Sequence, residues 1–141
     1  MNSYNENAQR VLTLLKLDAE HLHERIMERQ KEYLKIFSEK RTRSHFQEIF
    51  FSRWKTFGAE ELKLLGQDLI VALDKFYNSV EKMHWYLMQT EDMPATVEDQ
   101  LDVLLAEIDS GYQMFNLYCE GELGFHDSEE NINEASEEYS S

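Results

Sequence analysis

Glu20-His21-Leu22-His23 and Glu81-Lys82-Met83-His84 each set a glutamate three residues before a histidine. On a helix that spacing stacks a carboxylate and an imidazole one turn apart on the same face. Helical di-iron and di-manganese carboxylate proteins use this unit twice and add one glutamate from each of two further helices. Glu20, His23, Glu81 and His84 are therefore the candidate metal ligands, with Glu48 and Glu107 available as the additional carboxylates. Solvated histidines are the competing reading, and three features favour it. Each pair stands beside the apolar stripe of its helix, not within it. Glu48 and Glu107 belong to no motif of their own. With 20 Glu and five His in the chain, chance supplies on the order of 0.7 such pairs, so two carry little weight. No metal or other cofactor is expected.

Nucleophilic chemistry has less behind it. Cys119 is the single cysteine, which excludes an internal disulfide. Nothing in the pattern gives it the positive neighbour that makes a thiolate, and acidic surroundings raise a thiol's pKa. A small apolar core residue is its expected role. There is no Gly-x-Ser-x-Gly elbow and no glycine loop to cradle phosphate. Catalysis is not expected.

Charge points elsewhere. The 141 residues carry a formal net charge of −14, and Lys82 is the last basic residue. Residues 1–82 hold 14 basic against 13 acidic side chains; residues 83–141 hold 15 acidic side chains and no basic one. Such a field repels nucleic acid and anionic membranes and attracts a basic surface. The stretch 25–57 is the local exception, with nine basic against four acidic residues and Phe37, Phe46, Phe50, Phe51, Trp54 and Phe57 interleaved. Cations among aromatic platforms suit single-stranded nucleic acid. Because the whole-chain field opposes that use, the expectation is that these aromatics are core and these cations meet acidic parts of the same chain.

The elements that must position these residues are helical throughout. Ala8, Leu12, Leu15, Ala19, Leu22, Ile26, Tyr33 and Ile36 recur at threes and fours, predicting one long helix from about Tyr4 to Lys40, interrupted in its stripe at Arg29. A second row, Val11, Leu14, Met27, Leu34 and Phe37, widens the buried face. After a turn at 40–43, Ser44 and Gln47 match a capping box and predict a short helix through Phe46, Ile49, Phe50, Trp54 and Phe57, ending at Gly58. A third helix is predicted from Ala59 to Gln89 on Leu62, Leu65, Leu69, Leu73, Phe76, Val80, Met83 and Leu87. A fourth, capped by Thr96 and Asp99, carries Val97, Leu101, Leu104, Ile108, Phe115 and Cys119. Gly111 within it reads as a point of close packing. Nothing alternates at period two.

The fold class that follows is all-α: an antiparallel bundle on a long helical hairpin, three long helices and one short. Residues 1–121 form its single domain and 122–141 a disordered acidic tail. No apolar run is long enough to span a membrane, and a cytoplasmic protein is expected.

Large aromatics off the stripe suggest what such a bundle does. Trp85 projects to the side opposite Leu87, and Phe51 lies away from Phe46, Phe50 and Phe57. Trp85, Tyr86, Met88, Phe51 and Trp54 are the candidate apolar anchors. Glu98, Asp99, Asp102, Glu107 and Asp109 are the candidate acidic contacts for a basic protein partner. The expected function is a non-catalytic interaction module, an adaptor, chaperone-like helper or regulatory subunit. The alternative is an acidic inhibitor, immunity protein or DNA mimic that fills a nucleic-acid groove. Lesser alternatives are the di-metal enzyme and a nucleic-acid binder masked by the tail. A homodimer through the aromatic patch is a further option.

Overall fold

The computed structural model describes backbone over residues 3–38 and 42–140, and side chains over 6–36 and 42–122. The chain is all-α: α1 (Ser3–Glu28), α2 (Gln30–Ser38), α3 (Phe46–Ile49), a 3-10 turn (Trp54–Thr56), α4 (Ala59–Leu62), α5 (Gln67–Gln89) and α6 (Pro94–Ser140). No strand occurs among the described residues. Over the expected tail, 122–141, the described backbone belongs to α6 as far as Ser140, and the side chains beyond Glu122 lie outside the described ones; Lys40 and Arg41 of the expected turn lie outside the described residues.

The three stripes read from the sequence converge on one core. Leu15, Leu22, Ile26 and Tyr33 from α1 and α2 are buried against Leu69, Leu73, Phe76, Met83 and Leu87 of α5 and Val97, Ile108, Phe115 and Cys119 of α6. Each such aliphatic or aromatic side chain contributes about 1.5–3 kcal/mol by leaving water, which is what makes the long helices persist. α5 and α6 form an antiparallel hairpin. Lys82 meets Glu107, Phe76 meets Gly111 and the Gly66 N–H meets Glu122, each pair farther along α6 and earlier along α5.

The helix ends differ from the periodic reading, for identifiable reasons. The expected first helix is divided at Arg29. There the buried Tyr33 hydroxyl donates to the Ile26 carbonyl at 2.7 Å, the acceptor that the next turn of an unbroken helix would use. Leu14, expected in the widened stripe, stands 54 % exposed.

The expected short helix over 46–57 survives only as α3 and the 3-10 turn. Arg25 donates from Nε to the Ile49 carbonyl at 3.2 Å and from its other guanidinium arm to the Phe51 carbonyl. Carbonyls held by a side chain from α1 are not free to propagate a helix. The Ser44 capping box does not form either: the Ser44 hydroxyl pairs with that of Thr42 at 3.2 Å, and His45 occupies the cap position.

The expected third helix is split as well. Bonds from Leu64 to Glu61 and from Leu65 to Leu62 tighten and close α4. Gly66 then sends its N–H to the Glu122 carboxylate at 3.1 Å, and α5 starts after it. α6 begins at Pro94, two residues before the expected Thr96 cap, with proline in the first-turn position where its missing N–H costs nothing.

Candidate interaction surface

The linker between α2 and α5 is fixed by two polar residues of α1 that lie two turns apart. The Asp18 carboxylate accepts the Ser52 hydroxyl at 2.7 Å, the Arg53 N–H at 2.9 Å and the Tyr77 hydroxyl at 2.7 Å. Ser52 Oγ in turn accepts the Trp54 N–H at 3.0 Å, and the Trp54 ring stacks on Tyr77 with centroids 4.5 Å apart. Burial, and then the adjoining carboxylate, push the Tyr77 phenol well above its ordinary range. Asp18 and Arg25 therefore carry the segment that presents Phe51.

Of the five apolar candidates, two stand out in solvent: Trp85 at 68 % exposure and Phe51 at 61 %. The others are tied into the bundle. Trp54 is half-buried on Tyr77, Tyr86 is half-buried with its hydroxyl donating to Asp92 at 2.7 Å, and Met88 packs against the core. Trp85 shares the outward line of α5 with Val71, which is also exposed.

The acidic candidates divide in the same way. Glu98, Asp99 and Asp102 are exposed on the first turns of α6 and make no ion pair among the described residues. Glu107 pairs with Lys82 at 3.2 Å, and Asp109 accepts from His23 Nε2 at 2.9 Å. Beside the free carboxylates runs an apolar row that the sequence reading did not single out: Val103, Met114 and Leu117, between 49 % and 66 % exposed. The signal for it was present, since at 100° per residue these three fall roughly 100–160° from the centre of the Leu104, Ile108 and Phe115 stripe.

The Glu-x-x-His pairs are not brought together. His23 is held by Asp109 and stacks on Tyr112 at 4.1 Å, on the α1–α6 seam. His84 stacks on Phe50 at 4.8 Å, against the linker, with its buried Nε2 lacking a hydrogen-bond partner among the described residues. Burial lowers the His84 pKa, with Lys55 adding to the shift and Glu81 opposing it. No cluster of three or more His, Cys, Asp or Glu suited to a metal ion occurs among the described residues.

Several cations of the basic segment are engaged within the chain. Arg25 holds carbonyls, Arg43 donates to the Met88 carbonyl at 3.1 Å, Arg29 pairs with Glu32 and Lys55 with Glu81. Phe46 and Phe50 are core residues. Cys119 is fully buried and its thiol is pushed up to about 12, chiefly by burial. No helix among the described residues is long and apolar enough to cross a membrane. No protein-family model, curated protein or solved structure matches the chain.

Proposed function

We propose that this chain is a non-catalytic interaction module that docks a basic protein partner on the outward side of α5 and α6. The observation that carries this reading is that Asp99 and Asp102, which make no ion pair among the described residues, stand beside exposed Val103 on α6, with exposed Met114 and Leu117 farther along the same helix. Apolar area supplies contact free energy and the carboxylates supply encounter rate and choice of partner. Trp85, on the outward line of α5, and Phe51, on the separate linker face that Asp18 and Arg25 hold, are further exposed aromatic anchors.

The acidic-inhibitor reading is supported less well. A nucleic-acid mimic needs a long array of free carboxylates, and two of its five candidates, Glu107 and Asp109, are already paired.

The reading is tested by retention of basic proteins on the immobilised full chain at low and high salt. Trp85→Asp and a Glu98→Gln, Asp99→Asn, Asp102→Asn triple variant serve as comparisons. A specific basic protein should be retained at low salt, be released at high salt, and bind both variants less. Retention that ignores salt and is equal on all three columns would contradict the proposal.

A further inference from the structure

We infer that the open groove between α5 and α6 seats a single amphipathic helix of a partner, with Lys or Arg on the flank that meets α6 and acidic side chains on the flank that meets Lys75. This rests on the reading of the chain as an interaction module and names the seat within that surface. The groove encloses about 830 Å³. Its floor is made of small residues, Ala72 and Ser79 from α5 and Ala106, Ser110 and Gly111 from α6. They leave it open because the two backbones approach closely there: a Cβ on Gly111 would lie 3.3 Å from the Phe76 Cα.

Val103 and Met114 stand at the groove's edge, both about half exposed. They are three turns apart, roughly 16 Å of helix, longer than the roughly 10 Å over which an occupant presents anchors at i, i+3, i+4 and i+7.

The rims carry opposite charges. Asp102 lines the α6 side and Lys75 the α5 side, and neither makes an ion pair among the described residues. A helix with its own charges segregated to two flanks satisfies both rims at once. A second copy of this chain offering its α6 row would set carboxylates against Asp99 and Asp102, with no basic residue after Lys82 to offset them. The α6 row of a second copy therefore does not fit the seat, and the occupant inferred is a helix of another chain.

The test uses three fluorescein-labelled helical peptides of roughly 18 residues, five turns, with one leucine face. Their flanks are Lys on one side and Glu on the other, Lys on both, or Glu on both. Fluorescence anisotropy is read on the full chain, on Ser110→Trp, which fills the groove, and on Lys75→Glu. Both substituted residues are exposed, and helicity by circular dichroism checks each variant. The wild-type chain should bind the Lys/Glu peptide at least as tightly as the all-Lys one and about tenfold or more tighter than the all-Glu one. Ser110→Trp should weaken the Lys/Glu peptide about tenfold, and Lys75→Glu should shift preference to the all-Lys peptide.

Tighter all-Lys binding that Ser110→Trp leaves unchanged would overturn the groove while leaving the interaction module standing on general acidic attraction. Failure of all three peptides to bind would also overturn it, with the module judged separately by retention of basic proteins. A dimer that Ser110→Trp separates into folded monomers would make a second copy the occupant and overturn it too.

Discussion

The Tyr77 hydroxyl of α5 donates to the Asp18 carboxylate of α1 at 2.7 Å, and the same carboxylate accepts from Ser52 and from the Arg53 backbone. One side chain thus ties two helices and the intervening linker into a single unit. Removing it leaves two hydroxyls and an N–H without their acceptor.

Asp18→Ala should therefore destabilise the protein by about 3 kcal/mol, a larger loss than the roughly 1 kcal/mol of a typical lost bond in Tyr77→Phe. Urea unfolding followed by tryptophan fluorescence measures both, Trp54 being the half-buried reporter stacked on Tyr77 and Trp85 the exposed one. Equal, small losses in the two variants would show that the carboxylate does not organise the linker.

His84 gives the stability a pH signature. Its folded pKa lies below the ordinary 6.5 because the ring is buried against Phe50, so the unfolded chain takes up the proton more readily. Its contribution is complete above pH 6.5 and is lost as pH falls through that value toward the folded pKa. Lys55 and Glu81 are the charges beside it, acting in opposite senses. His84→Phe should unfold with a shallower acid-side decline than the wild type in denaturant melts between pH 7 and 5. Parallel declines would remove His84 as the cause.

Gly111 is needed for close approach, not for backbone freedom. Alanine would gain about 1 kcal/mol of helix propensity but must push against the Phe76 backbone, an overpacking cost of roughly 1–3 kcal/mol. Gly111→Ala should lower stability by about 1 kcal/mol net in thermal or urea melts. A stabilised variant would mean that α5 and α6 can separate freely at this point.

Cys119 should resist thiol reagents in the native state, because burial both shields it and keeps it protonated. Labelling with a chromogenic disulfide reagent at pH 8 should be slow until urea unfolds the chain, then complete. Rapid native labelling would contradict its place in the core.

The long helices were legible because Leu12 to Ile26, Leu69 to Leu87 and Val97 to Cys119 repeat at the helical period, and burial followed that period. The break at Gly58, after which α4 starts at Ala59, was legible too, but the breaks at Arg29, after Ile49 and at Gly66 were not. They depend on the Arg25 guanidinium reaching Ile49, Tyr33 turning back to Ile26 and Glu122 reaching Gly66. Two of these three join residues at least 24 apart in sequence, beyond any local pattern. The surface was legible in part. Counting 100° per residue places Trp85 outward, and the same count applied to α6 gives Val103, Met114 and Leu117. The groove floor was hidden because it depends on the register that brings Gly111 to Phe76, which neither helix specifies alone.

Light scattering of the full chain and of Trp85→Asp, each at low and high salt, asks whether the outward side of α5 and α6 is left open for another protein. The expected result is a monomer in all four measurements, with the apolar row and Trp85 uncovered. A wild-type dimer that Trp85→Asp converts to a folded monomer would show that the chain covers this side with itself, and would contradict a seat for a basic partner.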